Sequence, residues 1–225
     1  MTELILQVIA SSDDCYRKLT SSYFGLTSQF QVVGASDVSN FKLGGGMRFQ
    51  NVLIPHGAVI NSAYLTLRCE YASSVDTVKS RISAEDVDDA DTFANSADAF
   101  DTRWAARTTA RVDWDSIVGW GLDSDYNSPE IKTVIQEVID RVGWVSGNDI
   151  VIFWDDFDDR STHSSSCYRR AYSYDGSTTY APKLVVTYTA GWTHIAKVLG
   201  VTASAISKMN GVTVAAIAKV NGVSV

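Results

Sequence analysis

The residues best placed to do chemistry are the carboxylates of an acidic run at 155–159, Asp-Asp-Phe-Asp-Asp. Calcium is held by several oxygen ligands around one point, and four carboxylates within five residues could supply them. The run lacks the order of an EF-hand loop, because Arg160 stands where that loop needs glycine. Two alternatives follow, a solvated acidic loop paired with Arg160 or Arg81, and a calcium site. The ligands of that calcium site would be Asp155, Asp156, Asp158 and Asp159.

Tryptophans form a second group with possible binding chemistry, because several lie in predicted loops or at the ends of predicted elements. Exposed aromatic rings stack on the apolar faces of sugars, by the same contact that enriches Trp and Tyr at interfaces. The alternative is that the rings seal the ends of the fold, since large aromatic side chains are usually buried. The residues of the predicted glycan-binding platform are Trp104, Trp114 and Trp120.

The chain carries no motif of a named catalytic mechanism. None of its three histidines lies in an HExxH, GxSxG or similar context. The cysteines Cys15, Cys69 and Cys167 are far apart, and their spacing does not suggest a zinc site. Strand-like alternation around Cys69 and Cys167 favours buried thiols, while a disulfide between two cysteines stays open. We therefore expect a protein that is not an enzyme and that has no cofactor apart from the calcium alternative.

The charge of the chain bears on its partners. The net charge is −7 and the isoelectric point is near 4.9, so the chain repels phosphate backbones and is not expected to bind nucleic acid. The first ten residues are apolar but include Glu3 and lack a basic region, which argues against a cleavable signal peptide. No apolar run approaches the length of a transmembrane helix, so membrane insertion is not expected.

The stretch from Gly46 to Glu70 gives the strongest indication of the fold. Met47 to Ile54 is rich in apolar and β-favouring residues, and Pro55 and Gly57 then mark a tight corner. After the corner, apolar and polar residues alternate with a period of two, as in a half-buried strand. The apolar face of that strand consists of Ala63, Leu65, Leu67 and Cys69.

Many short strands with one helix predict an all-β fold, a two-sheet antiparallel jelly-roll sandwich over residues 1–190. The polar and acidic region from Glu85 to Thr109 has no clean period and is predicted as loops that cross the sandwich. The composition changes around Gly191, where a C-terminal tail of residues 191–225 begins.

One amphipathic helix is predicted from Pro129 to Val142. Ser128 is a natural N-cap, Pro129 suits the first helical position, and Gly143 lies just past the end. Such a helix must bury its stripe, most simply across an open end of the sandwich. The stripe consists of Ile131, Val134, Ile135, Val138, Ile139 and Val142.

The tail repeats a unit of eleven residues, roughly Ala-Ile-x-Lys-Val-Asn-Gly-Val. In one geometry the Asn-Gly pairs are hairpin turns; in the other, each glycine ends a short helix, and the Ala, Ser and Lys content favours the helices. Either unit is too small to bury its own apolar residues, so we expect the tail to dock on itself or on another protein. The predicted assembly residues are Ile195, Val201, Ile206, Val212, Ile217 and Val223.

Several segments resemble jelly-roll domains of the DNRLRE and disaggregatase-related type. The first is Arg48 to Leu65, the second is the region from Ser128 to Asn148, and the third is Arg169 to Leu184. The resemblance covers about residues 10–190. It implies a non-catalytic structural or adhesive role, since such domains occur as modules on secreted and surface proteins and related ones bind carbohydrate. The C-terminal repeats resemble short tails of phage and metagenomic virion-associated proteins.

Two functions are therefore expected. The first is a structural or adhesive component of a phage virion (tail, fibre or capsid decoration) or of an extracellular surface, with the repeat tail mediating assembly with itself or with another such protein. The alternative is a carbohydrate-binding module that attaches its carrier to glycans.

Overall fold

The computed structural model describes residues 1–36, 40–73, 76–164 and 167–190, and the backbone of six two-residue strands in the tail. Two helices, α1 (Ala97–Ala105) and α2 (Lys132–Ile139), and a 3-10 turn at Ser11–Asp13 accompany the strands of this region. The strands are β1 (Thr2–Gln7), β2 (Asp14–Lys18), β3 (Phe24–Gly25), β4 (Phe30–Ala35), β5 (Lys42–Phe49), β6 (Val59–Tyr71), β7 (Val78–Ala84), β8 (Val112–Ile117), β9 (Asp125–Asn127), β10 (Ile150–Asp155), β11 (Tyr168–Tyr172) and β12 (Lys183–Thr189).

These strands pair antiparallel in the order β1-β12-β6-β11-β4-β5-β10-β7-β8; in addition, β2 pairs with β5, β3 pairs with β2, and β9 pairs with β6. The long strand β6 pairs first with β12, from Val59 to Thr66, and then with β11, at Cys69 and Tyr71. The predicted all-β sandwich-like fold is therefore confirmed. The two halves of the sandwich form one curled sheet, because β6 pairs with β12 of one half and with β11 of the other.

The core lies between the two halves of the sheet. The predicted inward row of β6, Ala63 to Cys69, is fully buried at alternate positions. Strand β10 is buried along both faces, because an aromatic cluster around Phe100 and Phe153 covers its outer side. All three cysteines are buried and unbonded, and burial raises the pKa of each thiol.

Helix α2 is shorter than its apolar stripe predicts. Its N-cap is Ile131 rather than Ser128, and Val142, beyond its end, is fully exposed. Ser128 Oγ instead accepts a hydrogen bond from the Leu65 amide at 3.0 Å, and Glu130 accepts one from the next free amide of β6, that of Ala63. The chain therefore runs beside β6 and satisfies its open edge before the helix can begin.

A second helix, α1, lies within the region predicted as loops. Ser96 is its N-cap and accepts a hydrogen bond from the Ala99 amide. Phe100 is the one fully buried residue of α1, so the helix lacks the repeated stripe by which periodicity identifies helices. Neither helix among the described residues is long and apolar enough to cross a membrane.

Three consecutive glycines of β5 allow close packing on both sides of the strand. A Cβ at Gly45 would lie 2.0 Å from the carbonyl oxygen of Cys15, and a Cβ at Gly46 would lie 2.5 Å from the Phe93 ring. These distances are too short for any side chain. The centre of β5 therefore requires glycine, because neighbouring atoms leave no space for a side chain there.

Arg169 is completely buried on β11 and pairs with backbone rather than with a carboxylate. Its guanidinium donates hydrogen bonds to the carbonyl oxygens of Ile117 (3.0 Å), Val118 (2.9 Å) and Tyr168 (2.8 Å), and also to that of Asp76. One side chain thus holds the end of β8 and the segment before β7 against β11.

The tail backbone forms three pairs of antiparallel strands, and in each pair two residues of sequence separate one strand from the other. This matches the hairpin alternative, so the preference for short helices is wrong at these residues. Of the predicted assembly residues, Ile195, Ile206 and Ile217 lie outside the described residues, as do the side chains of Val201, Val212 and Val223. The strands are β13 (Lys197–Val198), β14 (Val201–Thr202), β15 (Lys208–Met209), β16 (Val212–Thr213), β17 (Lys219–Val220) and β18 (Val223–Ser224).

Candidate functional site

A groove of about 170 Å³ lies on the face of the sheet opposite the core, among β2, β4, β5 and β11. Tyr168 and Arg170 line this groove, whereas the intervening Arg169 is buried and the following Ala171 belongs to the core. We call this surface the aromatic groove. Its lining residues are Tyr16, Lys18, Phe30, Val32, Ser36, Phe41, Leu43, Tyr168 and Arg170.

Four segments each contribute an aromatic residue and the residue two positions later. In a strand, side chains two positions apart point to the same face, so each pair arrives on one surface. The pairs are Tyr16 and Lys18, Phe30 and Val32, Phe41 and Leu43, and Tyr168 and Arg170.

The floor of the aromatic groove is packed and its walls are partly exposed. Tyr16, Val32 and Leu43 form a small buried cluster, against which the half-buried rings of Phe30, Phe41 and Tyr168 pack. The Tyr16 and Phe30 rings are tilted, with centroids 5.6 Å apart. Burial raises the pKa of Tyr16, so its hydroxyl stays protonated at neutral pH. The walls therefore present ring surface held in place by a fixed floor.

Two cations lie against these rings. The Lys18 ammonium is 4.7 Å from the Tyr23 ring centroid and 5.3 Å from that of Phe41, and Lys18 has no ion pair within the described part of the chain. The Arg170 guanidinium is 3.6 Å from the Phe30 centroid and forms an ion pair with Glu70 at 2.7 Å. The groove thus combines apolar ring faces with hydrogen-bond donors at its margin.

The predicted tryptophan platform is not assembled, because Trp120 is only 3% exposed. The Tyr126 ring stacks on Trp120 at 4.6 Å and 5°, and Trp154 stacks on it at 5.9 Å and 15°. Trp114 is half-buried and packs 6.0 Å from both tryptophans. Trp120 and Trp114 therefore close the core, which was the alternative interpretation of these rings.

Trp104 is also held by protein contacts. Its indole Nε1 donates a hydrogen bond to Asp155 Oδ2 at 3.0 Å, and the Arg107 guanidinium lies 3.7 Å from its ring centroid. Trp104 lies on α1, which packs on the outer face of β10, and neither Trp114 nor Trp120 contacts it among the described rings. It does not extend a platform shared with the other two.

The acidic run 155–159 does not converge on one point. Asp155 and Asp156 are buried and accept hydrogen bonds from main-chain amides of their own loop. Asp158 forms an ion pair with Arg81 at 2.5 Å, and Asp159 pairs with His163 at 2.5 Å. Within the described part of the chain, no three acidic, histidine or cysteine side chains could hold a metal ion. Among these residues the calcium alternative is therefore not formed, and the pairing with Arg81 that the other alternative predicts is present.

Two buried carboxyls should make stability depend on pH. Burial, reinforced by nearby Asp175 and Asp13, raises the pKa of Asp14 to about 7, and burial raises that of Asp155 to about 6. Between pH 4 and 7 the folded protein holds a proton at Asp14 that the unfolded chain releases. The stabilisation is therefore complete below pH 4 and is lost as the pH rises through 7.

We expect Asp14 to lower the free energy of unfolding by roughly 1.4 kcal/mol for each pH unit across that interval. Urea denaturation at pH 5, 6, 7 and 8 measures this dependence, and Asp14→Asn should remove most of it. An equal dependence on pH in the wild type and in Asp14→Asn would contradict the assignment.

The sequence alone does not predict the aromatic groove, because the aromatic binding residues that it suggests are tryptophans in predicted loops. The available signal was the spacing of an aromatic residue two positions before a cation, in Tyr16-x-Lys18 and Tyr168-x-Arg170. That spacing places ring and cation on one face of a strand. It does not reveal that β2, β4 and β11 come together, since their residues span more than 150 positions of sequence.

Comparison of the chain with protein-family models and with curated proteins finds no match. The fold and the groove are therefore the observations from which a function can be inferred. Of the sites described, the aromatic groove is the one that combines partly exposed rings, a fixed floor and a cation without an ion pair among the described residues.

Proposed function

We propose that the sandwich is a non-enzymatic adhesive module that binds glycans through the aromatic groove. The observation that carries the proposal is the set of partly exposed rings of Phe30, Phe41 and Tyr168, held on a buried floor beside Lys18 and Arg170. Sugar rings have apolar C–H faces and polar edges. They therefore match a surface on which ring faces are bordered by hydrogen-bond donors.

The dimensions of the groove also support adhesion. A volume of about 170 Å³ is below the roughly 300–1,000 Å³ of sites that enclose a whole small molecule. Its described lining contains no carboxylate, imidazole or thiol that would act as a general base or nucleophile. A shallow groove of this kind holds one face of a ligand and leaves the rest in water, as attachment to a long glycan requires.

Substitution of a groove ring should weaken glycan binding. A glycan array with the full-length chain would first identify a bound sugar, whose affinity is then measured by isothermal titration calorimetry. We expect Tyr168→Ala to reduce that affinity about tenfold, which corresponds to roughly 1.4 kcal/mol of lost ring contact. We expect Lys18→Ala to act in the same direction through loss of a donor.

Tyr64→Ala is the matched control, since Tyr64 is a half-buried tyrosine of β6 outside the groove. Circular dichroism of each variant checks that the fold is kept. Equal affinity of Tyr168→Ala and Tyr64→Ala for the identified sugar would overturn the assignment of the groove as the glycan site.

We propose in addition that the C-terminal tail is the assembly element of a virion or extracellular surface protein. Each tail hairpin has two residues per strand, and an isolated two-stranded hairpin is marginally stable at best in water. The tail also carries three lysines and no acidic residue, in a chain whose net charge is −7. These features favour docking on an acidic protein surface. The resemblance of the repeats to tails of virion-associated proteins supports the location.

A further inference from the structure

A second cavity lies on the same face of the sheet as the aromatic groove. Its volume is about 140 Å³, and it is lined by outward residues of β6 and β12 and by the turn before β12. Tyr180 of that turn is 41% exposed, and the Arg68 guanidinium lies 4.2 Å from its ring centroid. We call this cavity the Tyr180 pocket. Its lining includes Thr66, Arg68, Asp125, Tyr180 and Lys183.

A continuous row of side chains joins the Tyr180 pocket to the aromatic groove. Phe30 of the groove is the cross-strand partner of Tyr172. The Tyr172 ring in turn lies 5.7 Å from the Tyr180 ring. Arg170, which lines the groove, reaches Glu70 at 2.7 Å, two residues beyond Arg68 on β6 and on the same face.

A ligand that contacts both cavities must pass over the side chain between them. Strands β11 and β12 both pair with β6, at Cys69 and Tyr71 and at Val59 to Thr66, and β4 lies beside β11. Phe30 therefore lies about 5 Å across the sheet from Tyr172, whose ring is 5.7 Å from that of Tyr180. A ligand that extends from Phe30 to Tyr180 spans three aromatic side chains and is longer than one sugar ring.

We propose that the aromatic groove and the Tyr180 pocket are two subsites of one track that binds a linear oligosaccharide. This inference rests on the proposed glycan-binding function. It adds that the ligand is a chain of several sugar units rather than a terminal sugar.

The charges along the track favour a hydroxyl-rich ligand over a peptide or an apolar protein surface. Arg170 is paired with Glu70, and Arg68 is paired with Asp125 at 3.3 Å. Each pair places a donor beside an acceptor, and a hydroxyl group both donates and accepts. An apolar partner would remove water from these ion pairs without replacing its hydrogen bonds, at a net cost in free energy.

The test is a length series measured on the full-length protein. The probes are cello-oligosaccharides, chito-oligosaccharides and oligogalacturonides from dimer to octamer, titrated calorimetrically. For the series that binds, we expect the affinity to rise at least tenfold from dimer to octamer, because longer chains reach the second subsite. Tyr180→Ala should abolish this gain and leave dimer binding within twofold of the wild type, whereas Tyr168→Ala should weaken both.

Tyr180→Phe, which keeps the ring, should retain the length dependence and so exclude a loss of fold as the cause. An affinity that does not change with length would overturn the two-subsite track while leaving glycan binding at the groove intact. So would a Tyr180→Ala variant that binds octamers like the wild type, or one that weakens dimers and octamers equally. Absence of binding to every probe in the series and to a broad glycan array would overturn the proposed function together with the track.

Discussion

Arg169→Ala is expected to lower the free energy of unfolding by roughly 3–5 kcal/mol, the range of severe single substitutions. The wild-type guanidinium supplies hydrogen bonds to four carbonyl groups, of which that of Ile117 is buried and the other three are partly buried. Each buried acceptor left without a donor costs about 1–3 kcal/mol, and the deleted side chain also leaves a cavity. The structure should be weakened most where β11 contacts the end of β8 and the segment before β7.

Two further variants separate hydrogen bonding from packing at this position. Arg169→Met refills much of the volume without donors, so we expect it to be nearly as destabilised as the alanine variant. Arg111→Ala is the control, because Arg111 is exposed and makes one weak hydrogen bond to a carbonyl at 3.3 Å. Urea denaturation gives all three values. Should Arg169→Met retain wild-type stability, packing rather than the carbonyl network would be the role of this residue.

Replacing the three repeated isoleucines of the tail by aspartate should abolish self-assembly. The variant is Ile195→Asp, Ile206→Asp and Ile217→Asp in the full-length chain. Charged residues at these positions would oppose burial of the repeats, whatever surface they dock on. We expect light scattering to report an oligomer for the wild type and a monomer for the variant, with an unchanged thermal transition of the sandwich.

The matched control for this experiment exchanges Ser204, Ser207 and Ser224 of the tail for aspartate, which adds the same charge and keeps the three isoleucines. It should assemble like the wild type. An isoleucine variant that still assembles normally would contradict burial of the repeats as the assembly mechanism. A wild-type chain that is monomeric would contradict self-assembly and leave docking on another protein as the role of the tail.

The fold could be predicted from sequence where local period and tertiary burial coincide. The alternation from Ala63 to Cys69 marks a strand because one face of β6 really does contact the core. The start of α2 was harder to predict, because Ser128 and Glu130 are residue types typical of a helix start but accept hydrogen bonds from amides of the distant strand β6. Residues that satisfy long-range backbone groups look identical, in sequence, to residues that cap their own helix.

The candidate site was less accessible to sequence reasoning than the fold. Trp120 is an ideal stacking residue by type, but Tyr126 and Trp154 already stack on it and it is buried. The groove instead uses Phe30 and Tyr168, whose neighbours across the sheet are set by strand order. A period of two identifies which face a side chain occupies, whereas adjacency between strands depends on the whole topology.

The pairing of β12 has a mechanical consequence for an adhesive protein. A pull on the tail enters the sandwich at the C-terminal end of β12, next to Thr189, and is directed along the strand. Hydrogen bonds to β1 and β6 flank β12 on both sides and lie across that direction. Such bonds are loaded in shear and share the force, instead of peeling apart one after another. A surface held by the groove and an anchor held by the tail would therefore be joined through a strand that is hydrogen-bonded along both of its edges.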